Sequence, residues 1–287
     1  MTSEVARSQA PFLVLDTHHH VLDPVSRAME QSDTASVNAE SGCMDVDVQN
    51  RMAYMDTEGM AQAVIIPEPR YLRPNGVADM RRMNDHVAAY RDAAPLRFPA
   101  ALGVVEPLFG PYGYDELARL QQMGIAGVSF HTRFQGVAND DLWIRRYVER
   151  MGALRLVPFV HVVHESVDES LWKLVALARD FPDLPFVALD AFSGFDGPTH
   201  VIATANLAPN IMYDTALAFV PEYILEFVRR HGAHRLAFGS DTYSFRALPH
   251  LLEWIRLCEL PPSDKQKILG DNVRRLLGLP VTPAAGP

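Results

Sequence analysis

The sequence is poor in cysteine and has no long apolar stretch. Its 287 residues include 2 cysteines, Cys43 and Cys258, which provide neither a disulfide framework nor the paired spacing of a zinc knuckle. We therefore expect a protein of the reducing cytoplasm. No apolar run approaches the ~20 residues that cross a bilayer, and no signal-peptide pattern opens the chain, so neither a membrane-spanning nor an exported protein is predicted.

Positive charge is also scarce and scattered. The formal net charge is -9, and the 26 basic residues include only three lysines, Lys173, Lys265 and Lys267. Because no run of basic residues occurs, we do not expect binding to nucleic acid or to an anionic membrane surface. With 48% hydrophobic and 21% charged residues, the composition is typical of a globular domain, and a small molecule is the expected partner.

Short apolar runs alternate with amphipathic stretches, as in a single-domain α/β protein. Runs that are apolar on both faces are typical of a parallel sheet, and eight of them with intervening helices predict a (β/α)8 TIM barrel. A doubly wound open sheet is the alternative, disfavoured because no glycine-rich phosphate loop follows the first strand. The predicted strands begin at residue 13 and continue at 61–67, 98–105, 127–130, 156–160, 186–189, 210–213 and 235–238. The predicted helices cover 48–58, 77–94, 114–123, 140–153, 168–180, 198–207, 221–232, 247–258 and 263–277.

The remaining segments are expected to be irregular. We predict one domain over residues 1–287, with the barrel at about 12–279, a frayed start at 1–11 and a terminal tail at 280–287. Residues 24–47 lack clear periodicity and are predicted to form a long loop over the strand ends. Such a loop would set specificity or act as a lid.

Three consecutive histidines end the first apolar run, in the sequence DTHHH at residues 16–20. Alternate side chains of a strand share a face, so His18 and His20 should point together and His19 should point away. Two imidazoles on one face at a strand end form half of a metal site. A solvated or disordered histidine cluster is the alternative.

Polar residues also end the other predicted strands. In a TIM barrel the carboxyl ends of the strands converge on one mouth, where catalytic groups lie. His161 and Asp241, at the ends of strands five and eight, would add a nitrogen and an oxygen to His18 and His20. This set predicts one divalent metal ion with an open position, zinc as first choice and manganese as the alternative. The other strand-end residues are Glu68, Arg70, Glu106, His131, Arg133, His164, Asp190 and Asp214.

These motifs resemble the amidohydrolase superfamily, specifically the amidohydrolase 2 branch, which includes aminocarboxymuconate-semialdehyde decarboxylase and nonoxidative aromatic acid decarboxylases. The family's Asp/Glu-x-His-x-His signature is matched at 16–20, its FGSD element at 238–241, and its closing Gly-x-Asn-Ala-x-Arg-Leu-Leu helix at 268–279. The strand-five element ending in histidine is matched loosely at 158–161. The resemblance covers about 13–279 and implies a metal-dependent enzyme. It also allows for a homodimer, since family members are often dimers.

Two departures from the family pattern bear on the mechanism. Many amidohydrolases bridge two metals with a carboxylated lysine on strand four, but residues 127–131 contain no lysine, so one metal is expected. The branch usually places a histidine at the end of strand six as acid or base, and Asp190 stands there instead. A carboxyl group with an ordinary pKa of ~3.9 is a poor acid near neutrality unless burial raises that pKa. A helix N-cap or an ion pair is the alternative role for Asp190.

The residues and the resemblance together predict a hydrolase of a small carboxylated or cyclic substrate. A metal-activated water would attack a carbonyl carbon, and Asp190 or Asp241 would take the proton. His131 is a further catalytic candidate, as acid, base or orienting group. Arg70 or Arg133 would bind a substrate carboxylate, unless they only brace the rim. His164 is a candidate substrate contact, with a plain surface histidine as the alternative.

Nonoxidative decarboxylation of an aromatic or enoic acid competes closely with hydrolysis. In that reaction the metal would anchor the carboxylate and a neighbouring oxygen, and a nearby acid would protonate the ring carbon. The missing strand-six histidine counts modestly against it. A barrel that only binds a ligand, and a metal-free lactonase, are the remaining alternatives.

Overall fold

The computed structural model describes residues 12–21, 38–68, 73–242 and 250–281, and its centre is one sheet of eight parallel strands. The strands follow one another in chain order around the sheet. The sheet closes because the Thr17 N–H donates to the Phe238 carbonyl at 2.9 Å and the His20 N–H donates to the Thr242 carbonyl at 2.8 Å. The predicted TIM barrel is confirmed, and an open doubly wound sheet is excluded because its strand order would reverse. The strands are β1 (Leu15–Val21), β2 (Gln62–Pro67), β3 (Ala100–Gly103), β4 (Gly127–Phe130), β5 (Val157–His161), β6 (Phe186–Leu189), β7 (Ile211–Asp214) and β8 (Leu236–Ala237).

Helices connect the strands on the outside of the barrel, as predicted. None of the helices in the described part of the chain is long and apolar enough to cross a membrane. The helices are α1 (Asn38–Glu58), α2 (Val77–Ala93), α3 (Tyr112–Gln122), α4 (Leu142–Leu154), α5 (Leu171–Asp180), α6 (Gly197–Thr204), α7 (Glu222–His231), α8 (His250–Leu257), α9 (Pro262–Gln266) and α10 (Asn272–Leu276).

The loop predicted at 24–47 is wrong in its second half, because α1 already begins at Asn38. Residues 38–47 carry no regular apolar stripe and include Gly42, which disfavours a helix interior, so the local pattern indicated a loop. A helix forms nevertheless, because Val48 and Met55 on its later turns are buried in the core. Residues 24–37 lie outside the described part of the chain, as do 1–11 and 282–287.

The predicted helix at 263–277 is divided. A π-helical turn, Lys267–Asp271, joins α9 to α10, and within it the backbone at Gly270 comes close to β1. A side chain at Gly270 would lie 2.9 Å from the Leu13 carbonyl. The Phe238 N–H, just after β8, donates to the Ile268 carbonyl at 2.8 Å. The turn therefore packs against both strands at the place where the barrel closes.

Two apolar layers hold the barrel together. One lies between the strands and the helices, and the other fills the interior of the barrel. Because the interior is packed with side chains, the barrel itself can bind a ligand only at the ends of its strands. The interior layer consists of Leu15, Val64, Ile66, Ala100, Leu102, Val157, Phe159, Val187, Leu189, Ala237 and Val273.

Candidate metal centre

Three imidazoles and one carboxylate meet at the carboxyl end of the strands. His18 and His20 lie on β1, and their Nε2 atoms are 2.8 Å apart. His161, the last residue of β5, contributes a third ring nitrogen, so that one nitrogen from each histidine lies within 4.8 Å of the others. The Asp241 Oδ1 atom is 3.5 Å from Nε2 of His18 and 3.3 Å from Nε2 of His20. The structure therefore brings together the four side chains predicted as ligands.

A bulge in β1 aims the two histidines at this point. The pairing of β1 with β2 shifts register between Asp16 and His19, so β1 carries one extra residue there. Leu15, before the shift, packs in the barrel interior, and strict alternation from Leu15 would turn His19 inward. The extra residue turns His18 and His20 inward instead, which is a common use of bulges near active sites.

Backbone carbonyls orient two of the rings. Nδ1 of His20 lies 2.9 Å from the Pro67 carbonyl, and Nδ1 of His161 lies 2.9 Å from the Phe130 carbonyl. A carbonyl oxygen only accepts, so in both neutral rings the proton sits on Nδ1 and the lone pair sits on Nε2. A histidine that binds a metal through one ring nitrogen typically donates the N–H of the other ring nitrogen to such an acceptor.

The converging atoms fit a divalent cation. Nε2 of His161 is buried and has no hydrogen-bond partner among the described residues, and the same holds for Oδ1 of Asp241. A buried acceptor without a partner costs about 1–3 kcal/mol. Nε2 of His20, which also carries a lone pair, lies 3.3 Å from the Asp241 Oδ1 atom. Acceptors therefore face one another at this point. Three imidazole nitrogens and one carboxylate oxygen form a group that could hold a metal ion.

The electrostatics of the centre favour positive charge. His18 is surrounded by Asp190, Asp214 and Asp241, and its Nδ1 lies 2.7 Å from the Asp214 Oδ2. Burial alone lowers the pKa of His18, but the three carboxylates together raise this pKa to about 10. Burial also opposes ionisation of Asp241, yet the neighbouring imidazoles of His20 and His18 hold the pKa of Asp241 below its ordinary value.

Asp190 lies at the end of β6, beside the histidines. Its carboxylate is 3.6 Å from Nδ1 of His18, and its own N–H donates to Asp214 at 2.8 Å. Burial, and after it the nearby carboxylates of Asp241 and Asp214, raise the pKa of Asp190 well above its ordinary value despite the opposing effect of His18. Asp190 is not the N-cap of α6, because that helix begins after Asp196.

Asp190 and Asp241 share an unusual backbone conformation. Their φ angles are 61° and 52°, in the left-handed region that favours glycine. Aspartate tolerates this region better than most residues, because its short polar side chain can bond locally. Residues held there at some cost cluster at functional sites. Nothing in the local sequence around either residue indicated this conformation.

His131 stacks on His161, one of the predicted ligands. The rings of His131 and His161 have centroids 4.1 Å apart and are inclined by only 10°. Nδ1 of His131 lies 2.5 Å from Glu169 Oε1, and Glu169 is fully buried. Glu169 is a site residue that the sequence did not reveal, because an acidic residue just before a helix is common and needs no buried partner.

The predicted substrate-binding residues lie further out. Arg133 has a side chain that is 41% exposed, and its Nε lies 3.2 Å from Glu169 Oε2. This ion pair is the kind of contact expected if Arg133 only braces the rim. His164 lies between Glu165 and Asp196, at 3.1 Å and 3.3 Å, and it is not in the described groups of side chains that could share a metal. Arg70 lies outside the described residues.

Arg73, near the mouth, is an arginine that the sequence analysis did not predict. Arg73 follows β2 and has a side chain that is only 4% exposed, with Nε 3.1 Å from Glu106 Oε1. The other oxygen of Glu106 accepts from the Gln135 side chain at 2.9 Å, and Gln135 in turn accepts from the His131 N–H at 3.1 Å. Arg73 is thus connected to the stacked histidines. It was missed because it lies beyond the predicted strand end.

The fold and the site define a TIM-barrel protein with a His/Asp group at the mouth of the barrel that could hold a cation. The family model described as amidohydrolase matches residues 15–279. The chain therefore belongs to the amidohydrolase family, and the resemblance found in the sequence is confirmed. A search of curated protein sequences gives no match.

Several solved structures share the fold. 5-Carboxyvanillate decarboxylase LigW from Sphingomonas paucimobilis is 17% identical, with a TM-score of 0.71 over 94% of this chain and 100% of that chain. A dihydroxybenzoic acid decarboxylase from Polaromonas sp. JS666, with bound manganese and 2-nitroresorcinol, is 15% identical, with a TM-score of 0.71 over 93% and 97%. 4-Oxalomesaconate hydratase LigJ from Rhodopseudomonas palustris is 17% identical, with a TM-score of 0.70 over 93% and 96%. At these identities the likeness concerns the fold.

Proposed function

We propose that the protein is a metal-dependent carboxy-lyase that releases carbon dioxide, without oxidation, from a small hydroxylated aromatic or enoic acid. The observation that carries this proposal is the convergence of His18, His20, His161 and Asp241 at the mouth of the barrel. The similarity to decarboxylases of the same fold supports this reaction over hydrolysis. Hydrolysis, the first choice from the sequence, becomes the competing candidate.

The four converging side chains are the proposed ligands. A divalent ion held by them would supply positive charge for the carboxylate of the substrate and for a neighbouring hydroxyl or oxo group. Asp214 orients His18 through Nδ1 at 2.7 Å, and the two carbonyls described above orient His20 and His161. The nitrogen-rich set suits zinc, whereas a similar decarboxylase binds manganese, so both ions belong in the test.

Asp190 is the proposed proton donor. When the bond between the ring carbon and the carboxylate breaks, its electron pair stays on the ring carbon, which must then receive one proton as carbon dioxide leaves. The Asp190 carboxyl group is buried at the mouth, and its Oδ1 has no hydrogen-bond partner among the described residues. It occupies the strand-six position where the resembled branch carries a histidine.

The remaining predicted residues have orienting roles in this proposal. His131, fixed by Glu169 and stacked on His161, would orient the substrate beside the ligands. Arg133 and Arg70 are the proposed contacts of a substrate carboxylate, and His164 a proposed contact at the rim. None of these contacts is required for the cation to bind.

A product assay separates the two candidate reactions. Protein reconstituted with Zn²⁺ or Mn²⁺ is incubated with hydroxybenzoates, including 5-carboxyvanillate and 2,6-dihydroxybenzoate, and carbon dioxide release is measured. A parallel assay follows acid release from simple lactones and amides. We expect carbon dioxide release that requires the metal. Acid release from a lactone or amide, with no carbon dioxide from any acid, would overturn the proposal in favour of hydrolysis.

A matched pair of variants tests the ligand assignment. His161→Ala should lose both the bound metal and the activity, because it removes one of the converging nitrogens. His234→Ala changes an exposed histidine and should keep both. If His161→Ala kept full activity after treatment with a chelator, the assignment would be wrong.

A further inference from the structure

We propose that Asp16 is a positioning residue of the metal centre, which fixes His18 on β1 relative to Asp241 after β8. The inference rests on the proposed function, because it assumes that His18 and Asp241 hold a cation. It adds a residue that makes no contact with the cation. The role of Asp16 is to connect the two strands that carry those ligands.

The carboxylate of Asp16 accepts hydrogen bonds from both strands. Oδ1 accepts from the His18 N–H at 3.1 Å and from the Ser240 N–H at 2.9 Å. Oδ2 accepts from the Ser240 hydroxyl at 2.5 Å and lies 2.8 Å from Nδ1 of His19. Asp16 is fully buried. Both oxygens are thus occupied by donors close to the proposed ligands.

The junction between β1 and β8 needs such a connection. β8 is only two residues long, and beyond it β1 meets the chain through a single bridge between His19 and Thr242. Between β8 and that bridge, the Ser240 N–H turns to the Asp16 side chain instead of a backbone carbonyl. The side chain of Asp16 therefore takes the place of a backbone ladder at this point.

The same contacts fix the conformation of Asp241. Its φ of 52° lies in the left-handed region, and the residues on both sides are held. Ser240 is bonded to Asp16, and the Thr242 N–H donates to the Ser240 hydroxyl at 3.1 Å. The two hydroxyls of Ser240 and Thr242 are 2.5 Å apart. Without the Asp16 anchor, the Asp241 carboxylate would lose the support that keeps it opposite His18.

Asp16 faces away from the proposed ligands. Leu15 packs in the barrel interior, so strand alternation turns Asp16 to the outer side of the wall, where it contacts His19 at 2.8 Å. The groups of side chains close enough to share a metal contain His18 but not Asp16, among the described residues. A change at Asp16 should therefore act through the ligands, and not by removing one.

Two variants test this role by metal affinity. Asp16→Asn keeps the size of the side chain and one acceptor, but its amide nitrogen would face the two donors now bound by Oδ2. Ser240→Ala removes only the hydroxyl contact. We expect Asp16→Asn to weaken Zn²⁺ binding by roughly 10- to 100-fold, the usual range for residues that orient metal ligands, and Ser240→Ala to weaken it less. Competition with a chromophoric chelator measures both affinities.

A spectroscopic readout separates positioning from general destabilisation. The visible absorption of Co²⁺-loaded protein reports the geometry of the ligands, and we expect it to change in Asp16→Asn. Val201→Ala is the control, because it removes core packing on α6 and Val201 is not one of the converging side chains. The control should lower the melting temperature of the metal-free protein and leave the affinity and the Co²⁺ spectrum unchanged.

The failure of this inference can be distinguished from the failure of the proposed function. If the wild type binds Zn²⁺ and both Asp16→Asn and Ser240→Ala bind it equally well, with the same Co²⁺ spectrum, Asp16 has no positioning role. If Asp16→Asn does not fold, a native affinity and spectrum in Ser240→Ala alone overturns the inference. A wild type that binds no divalent ion overturns the proposed function and this inference with it.

Discussion

The barrel is built differently at the junction of β1 with β8 than in the opposite wall, β4 to β6. In the wall, β4 and β5 pair without interruption over four residue pairs, and the proposed ligand comes only at the end, with His161. At the junction, polar side chains occupy the strand itself, and residues 16–20 are all fully buried. The wall is a regular scaffold, whereas the junction gives up regular pairing to hold the proposed ligands.

Unfavourable local structure is concentrated at the junction. It contains a bulge, a two-residue strand and a left-handed aspartate. Buried hydrogen bonds from Ser240 to Asp16 connect the two strands beside these features. The pairing of β4, β5 and β6 shows no register shift and no two-residue strand, and the wall shares only the left-handed aspartate, Asp190, just after β6. Substitutions at the junction should therefore affect the metal first, and substitutions in the wall should affect stability first.

The largest effect is expected from removing a ligand at the junction. His20→Ala deletes one of the converging nitrogens, and we expect it to lose the bound metal and all measurable carbon dioxide release. Elemental analysis of the purified variant, with a coupled carbon dioxide assay, checks both. Retention of stoichiometric metal in His20→Ala would remove this residue from the ligand set.

A large effect on stability is expected in the wall. Phe186, on β6, is fully buried between the sheet and the helices, so Phe186→Ala should lower the free energy of unfolding by about 3–5 kcal/mol. Urea denaturation of the metal-free protein measures this change. In the folded variant the Zn²⁺ affinity should equal that of the wild type. If Phe186→Ala kept native stability and bound Zn²⁺ more weakly, the wall would not be the part of the barrel that mainly determines stability.

An intermediate effect is expected from the residue that orients His18. Asp214→Asn keeps the shape of the side chain but removes the charge beside Nδ1, so we expect metal affinity to fall by roughly 10- to 100-fold. Chelator competition measures it. Because Asp214 also accepts from the Asp190 N–H, the rate of carbon dioxide release should fall as well at saturating metal. Unchanged affinity would mean that His18 needs no partner at Nδ1.

The smallest effect is expected on the outside of the wall. Lys173, on α5, pairs with Asp140 at 2.8 Å, and their side chains are 29% and 37% exposed. Exposed pairs contribute about 0–1 kcal/mol, so Lys173→Met should change the free energy of unfolding by no more than that. Metal affinity and activity should stay at wild-type values. A loss of several kcal/mol in the free energy of unfolding would show that this outer ion pair contributes more to stability than the comparison predicts.

The sequence predicted the wall better than the junction. β4 and β6 were placed at their observed bounds, Gly127–Phe130 and Phe186–Leu189, because a short run that is apolar on both faces is typical of a buried parallel strand. The grouping of His18 and His20 followed from strand alternation. The bulge that turns them inward could not be predicted, because local sequence does not reveal a register shift between two strands.

Contacts between distant parts of the chain account for most of what was missed. Asp214 was predicted only as a strand-end residue, yet it bonds to His18 across 196 positions. Asp16 meets Ser240 across 224 positions, and Glu169 meets His131 from what looked like an ordinary helix start. No periodicity or spacing encodes such pairs. The sequence ranked hydrolysis ahead of decarboxylation, whereas decarboxylation is the reaction proposed here, because the same ligand set serves both reactions.

Anomalous diffraction is the most direct test of the central claim. Crystals of protein purified without a histidine tag and supplied with Zn²⁺ or Mn²⁺ would be measured on both sides of the absorption edge of the metal. We predict one strong peak at the barrel mouth, bounded by Nε2 of His18, His20 and His161 and by the carboxylate of Asp241. A mouth without a peak, in protein whose activity is unaffected by chelators, would contradict the proposed metal centre.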